Sequence, residues 1–249
     1  MAGHSKFKNI MHRKGAQDKK RAKIFSRLGR EISVAVKEGG PDPEKNIRLR
    51  SAVGSAKSLN MPKDNIERAI KKGEGNDPNN NYEEVRYEGY GPDGVAIIVE
   101  ALTNNKNRTA AEVRSTFSKY GGNLGETGSV SFGFKRLGSI TLNKNNVNEE
   151  ELFDFIVENG SEDYEINEDE YNIYCDQKNL YQLNQKLIEK FGPTNFTGLI
   201  WKSENEISIS KGKAESLFKL LNVLEENEDV QAVSSNFDVS DDVLDTLTV

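Results

Sequence analysis

The thirty residues MAGHSKFKNIMHRKGAQDKKRAKIFSRLGR hold ten Lys or Arg, both histidines of the chain and a single acidic residue, Asp18. Side chains of these types, in these numbers, neutralise phosphates and release condensed counterions, which gives affinity without sequence information. The candidates are Lys6, Lys8, Arg13 and Lys14, followed by Lys19, Lys20, Arg21, Lys23, Arg27 and Arg30. Phe7, between Lys6 and Lys8, is placed either to stack on an unpaired base or to act as a hydrophobic anchor. His12 reads as a phosphate or base contact, or as a solvated side chain. Much later, Lys106 and Arg108 in NNKNRT interrupt an acidic half of the chain at a helix start, where backbone N–H groups also favour anions. They read as an auxiliary contact, the alternative being a helix cap.

Other chemistries lack their parts. With both histidines in the basic stretch, a Ser/His/Asp triad or a His-rich zinc site would have to be assembled there. The expectation is a non-enzyme without metal or cofactor. The glycines of GGNLGETGS follow a helix and precede a strand, the reverse of a nucleotide-binding loop, and they lack its spacing. They read as a helix cap and turn whose backbone could approach RNA closely. SEDYEINEDEY lacks the Asp-x-Asp-x-Asp-Gly spacing of a calcium loop and reads as a solvated hairpin edge. Cys175, the one cysteine, sits in the strand-like EYNIYCD and reads as a buried structural thiol.

The formal charge of −6 hides two opposed halves: residues 1–75 carry 19 Lys+Arg against 8 Asp+Glu, and the remainder 15 against 32. Segregation from +11 to −17 points to a polyanionic partner, the alternative being a solvated helical face. A hydrophobic content of 35% supports compact cores. No apolar run approaches the roughly 20 residues that span a bilayer, and the start lacks the apolar stretch of a signal peptide. A cytoplasmic protein with no membrane partner and no small-molecule substrate is expected.

The elements that must position these residues follow from periodicity. Residues 1–17 show no helical period and read as an arm that is irregular or ordered by a partner. Phe25, Leu28, Ile32 and Val36 predict a helix over 18–37, ended by Gly39 and Gly40. A second helix, with Asp42 as N-cap, buries Ile47, Val53, Ala56 and Leu59; a third begins at Pro62, buries Ile66, Ala69 and Ile70, and stops at Gly73. Alternation then takes over. YEEVRYEGYG and GVAIIVEALT read as a hairpin joined by GPDG, followed by a helix capped near 107–109 and a strand GSVSFGF. From Gly138 the order is βαββαβ, that of a ferredoxin-like sandwich, and the last residues add another βαβ. The expected class is α+β in three domains: a basic helical nucleic-acid-binding domain over 1–75, a discontinuous α/β domain over 82–135 plus 204–249, and a ferredoxin-like insertion over 138–203.

The stretches MAGHSKFKNIMHRKGAQDKKRAKIFSRLGREI, NMPKDNIERAIKKG, YEGYGPDGVAIIVEALTNNKNRTAAEVRSTFSKYGGNLGETGSVSF and VQAVSSNFDV resemble the YebC/PmpR family, which includes a mitochondrial translational activator of cytochrome oxidase. Phe7 departs from the family pattern, which reads Trp there. The resemblance implies a helical N-terminal domain and two α/β domains, the last inserted into the other. It also implies a non-enzymatic regulator of gene expression, in one of two forms. One is a ribosome-associated factor on ribosomal RNA that relieves stalling at proline-rich stretches. The other is a transcriptional regulator on promoter DNA.

Overall fold

The structure, a computed structural model, describes residues 17–240 apart from 76, 78, 79 and 146. The expected basic arm before residue 17 lies outside the described residues, as do the side chains of residues 17–20. Helix α1 (Gln17–Gly39) is followed by α2 (Ile47–Ser58) and α3 (Lys63–Glu74). Then come β1 (Glu83–Tyr90), β2 (Ala96–Thr103), α4 (Lys106–Lys119), β3 (Asn123–Leu124) and β4 (Phe134–Asn143). Next are α5 (Glu149–Glu158), β5 (Ser161–Ile166), β6 (Glu170–Cys175), α6 (Leu180–Phe191) and β7 (Phe196–Ser203). The described chain closes with β8 (Ile207–Ser208), α7 (Lys211–Glu226), β9 (Val230–Ser235) and β10 (Phe237–Asp238).

These elements form two compact units. The first takes the described residues up to Arg27, those of 77–135 and those from Trp201 onward; the second takes the described residues of 28–76 and 136–200. In the first, β1 and β2 pair antiparallel from Glu83↔Thr103 to Tyr90↔Ala96 within a sheet ordered β3-β1-β2-β9. The GPDG turn forms as expected, with Asp93 and Gly94 at φ 58° and 75°. Strand β2 is buried on both faces. Ile97 and Val99 pack with Val113 and Phe117 of α4 and with Leu217 and Leu221 of α7, whereas Ala96 and Ile98 pack with Val130, Phe134 and Trp201. A two-stranded parallel pair, β8 with β10, makes the pairing in this unit mixed.

In the second unit the sheet is ordered β5-β6-β4-β7, with β6 antiparallel to both β4 and β5. Helices α5 and α6 bury Leu152, Ile156, Leu183 and Leu187 against Ile140, Leu142 and Ile173. Helix α1 turns into α2 through Asn46, which is buried. Its Oδ1 accepts the Leu49 N–H at 3.0 Å while its Nδ2 donates to the carbonyls of Ala35 and Gly40. Asn46, not Asp42, is therefore the N-cap, and the later start shifts the buried stripe to Leu49, Ala52 and Ala56 while Ile47 and Leu59 stay exposed. Gly73 lies inside α3 rather than ending it. A Cβ there would stand 2.5 Å from the Ser33 carbonyl oxygen and 2.7 Å from Val36 Cβ, so it is the closeness of α1 that requires a glycine.

Three separable domains with a discrete ferredoxin-like insertion are not what the chain builds. The element order from β4 to β7 is as expected, but these residues share one compact unit with α2, α3 and most of α1. The reason is partly size: α2 and α3 are 12-residue helices that bury three and two residues each, too little apolar surface for a core of their own. Contacts within the unit follow. Ser51 Oγ lies 3.5 Å from the Thr197 carbonyl, and Tyr181 of α6 has its pKa raised by burial and then by Glu31, with Arg48 acting against them. The division between the two units falls between Lys135 and Arg136, inside β4 and two residues before Gly138. A Cβ at Gly138 would meet Leu180 Cβ at 2.9 Å and Cys175 Sγ at 3.0 Å. The architecture is α+β with mixed antiparallel and parallel pairing.

Cys175 is fully buried, and burial, followed by the charges of Glu162 and Asp176, pushes its thiol up to about 11. Thiolate is the reactive form. The folded protein should therefore resist iodoacetamide at pH 8 and label only as it unfolds, a result readable by intact mass; rapid labelling under native conditions would contradict this burial.

Candidate nucleic-acid interface

Lys6, Phe7, Lys8, His12, Arg13 and Lys14 fall outside the described residues. Lys19 and Lys20 are in the first turn of α1 by backbone. Beyond them the helix uses its cations in two ways. Arg21 is exposed, its guanidinium 5.7 Å from the centre of the Phe25 ring. Lys23 is half-buried; burial and then the nearby Arg27 lower its pKa, while Glu226, Glu225 and Glu228 oppose them. Arg27 Nη2 donates to the Glu225 carbonyl in the last turn of α7, a helix end that favours a cation. One of the expected phosphate contacts, Arg27, thus also holds α1 to α7. Arg30 is half-buried in the following turn. Lys57 on α2 and Lys63, Arg68, Lys71 and Lys72 on α3 are not buried and add to the basic character of this part of the chain.

The NNKNRT loop is built around a carboxylate. Asn105, rather than a residue in 107–109, caps α4, its Oδ1 accepting the Arg108 N–H at 3.1 Å. Lys106 pairs with Glu83 at 2.5 Å, and Arg108 Nη2 with Asp229 Oδ2 at 2.6 Å. Asp229, only 3% exposed, also accepts the hydroxyls of Thr109 at 2.7 Å and Thr103 at 3.1 Å. Burial would raise the Asp229 carboxyl, but the bonds from Thr109, Arg108 and Thr103 hold it below its ordinary value. Lys106 and Arg108 remain about half exposed, so each can meet a phosphate while already serving a pair within the fold.

The glycine loop after α4 carries a second buried carboxylate. Glu88 in β1, 1% exposed, accepts the N–H groups of Val130 at 3.0 Å and Ser131 at 2.9 Å and pairs with Arg86 at 2.9 Å. Burial again pushes upward; bonds from Val130, Gly128 and Ser131, with Arg86, outweigh it and lower the Glu88 pKa. Residues Ser131–Gly133 form a 3-10 turn where GSVSFGF predicts a strand, and Phe132 at its centre faces solvent. Nothing local in the sequence signals Glu88 or Asp229. Among the described residues, no group of three or more His, Cys, Asp or Glu is placed to hold a metal ion, and no helix is long and apolar enough to cross a membrane.

Comparison with known proteins covers nearly the whole chain. A family model described as the TACO1/YebC protein N-terminal domain matches residues 5–76, and one described as the TACO1/YebC second and third domain matches residues 82–237. The crystal structure of a conserved hypothetical protein from Aquifex aeolicus is similar at 46% identity and a TM-score of 0.82, over 89% of this chain and 91% of that one.

Proposed function

The chain belongs to the TACO1/YebC family of gene-expression regulators, and from that premise we propose that it is a non-enzymatic, RNA-binding translation factor that acts on the ribosome and relieves stalling at proline-rich stretches. The observation that carries this reading is the segregation of charge, with 19 Lys+Arg against 8 Asp+Glu in residues 1–75 and 15 against 32 beyond. Charge segregated in this way favours phosphate contacts from residues 1–75, without reading bases. Ribosomal RNA presents such a surface, irregular and rich in unpaired segments. In this proposal Lys6, Lys8, Arg13, Lys14, Lys19, Lys20 and Arg21 supply the main phosphate contacts, with Arg30, Lys106 and Arg108 as auxiliaries.

Sedimentation with ribosomes at physiological salt, set against recovery on promoter-length DNA duplexes, tests the reading. Cosedimentation that the duplexes do not compete away is expected, together with slower synthesis of a proline-rich reporter when the protein is left out of a reconstituted translation system. Sequence-selective retention on duplex DNA with no ribosome association would favour the transcriptional regulator instead.

A further inference from the structure

We infer that Phe132, presented by the glycine loop, is a stacking site for an unpaired nucleobase of structured RNA. The inference rests on the RNA reading above and adds a contact remote in sequence from the basic segment. At 78% exposure, Phe132 is the most exposed large hydrophobic side chain among the described residues. The turn that carries it is fixed on both sides. Glu88 holds the N–H groups of Val130 and Ser131, Gly133 N–H bonds the Val130 carbonyl at 3.1 Å, and Phe134 is buried with Ala96 and Ile98. Arg86, the ion-pair partner of Glu88, lies over the Trp201 ring at 5.0 Å, and the Tyr90 hydroxyl donates to the Ser129 carbonyl at 2.9 Å. A ring exposed from a turn anchored in this way can bind with little ordering cost.

The surroundings suit a base better than a protein groove. Protein hot spots sit inside a rim that excludes water. Here the loop supplies exposed Asn123, Glu126 and Thr127 and the half-buried Ser131, groups that can donate to or accept from a base edge. A Cβ built at Gly128 or Gly133 would have nothing within 4 Å, so the loop is uncrowded at these two positions. Every base offers a π-face on which an exposed aromatic can stack.

The test uses the full chain and two RNAs of equal length, a hairpin with an unpaired loop and a fully paired duplex. Phe132→Ala should weaken hairpin binding by about tenfold, leave the log-log salt slope unchanged and leave duplex binding unaltered. Phe132→Trp should keep hairpin affinity, and its added indole emission should be quenched by the hairpin and not by the duplex. Wild-type hairpin affinity in Phe132→Ala, an equal loss on the duplex, or unquenched indole emission would overturn the inference. If Phe132→Ala binds normally while neutralising the basic segment abolishes binding, this inference alone fails; if the wild-type chain binds neither RNA, the RNA reading fails with it.

Discussion

Replacing Lys6, Lys8, Arg13, Lys14, Lys19, Lys20 and Arg21 together with Ala should lower affinity for structured RNA by roughly three to five orders of magnitude at physiological salt. Each phosphate-binding cation removed should flatten the log-log salt dependence by about 0.7–0.9, so the decline should be graded and no single replacement decisive. Arg27 is left out of the set because it is engaged with the end of α7, and Lys23 because burial and Arg27 lower its pKa. Arg27→Ala should lower the melting temperature and change the salt slope less than Arg21→Ala does. Titrations of single and cumulative variants at several salt concentrations check both statements. A single Arg whose replacement erases discrimination between duplex sequences, at a cost of about 1–3 kcal/mol, would instead identify a base-reading side chain.

Asp229→Ala should cost the first unit on the order of 3 kcal/mol, because it leaves the buried Thr103 hydroxyl without its acceptor, takes one acceptor from Thr109 and leaves Arg108 without its carboxylate. The pH dependence has a definite sign. A carboxyl whose folded pKa is depressed contributes fully above its unfolded value and loses that contribution as pH falls through the folded one. The Asp229 carboxyl lies below its ordinary 3.8, so the gap between wild type and Asp229→Ala should be full at pH 7 and shrink below about pH 4. Urea unfolding of both proteins at pH 7 and pH 3 measures that gap. Glu88 titrates in the same acid range, so the difference between the two proteins carries the information, not either curve alone. Equal stability at pH 7, or a gap that persists unchanged into acid, would remove Asp229 from the centre of the network.

Much of the fold is written in local pattern. The GPDG hairpin, the apolar spacing of α1 and the helix–strand order from Gly138 onward all form where period and turn chemistry place them. The departures share a cause, which is information held far away in sequence. Gly73 and Gly138 look like punctuation, but one answers to Ser33 and the other to Leu180 and Cys175. The Asn46 cap is decided as much by carbonyls at Ala35 and Gly40 as by its own helix. For the candidate interface, the sequence identifies the cations but not their obligations: Arg108 meets a carboxylate 121 residues away and Arg27 a carbonyl 198 residues away. Phe132 is legible as an aromatic and illegible as an exposed one, since alternation in GSVSFGF suggests a half-buried strand where the Glu88 carboxylate holds a turn.

The bonds between Glu88 and its loop have a consequence for selectivity. A run of backbone N–H groups near glycines is a ready receptor for anions, and here that receptor has its ligand attached through β1. A tethered carboxylate acts at an effective concentration that a free ion must exceed to displace it. Inorganic phosphate, sulfate and nucleotide phosphates would have to expel a buried charge that Arg86 also holds. The loop is thereby made self-competitive: it spends its anion affinity on holding its own shape, which keeps the glycine sequence insensitive to the many small phosphates of a cell.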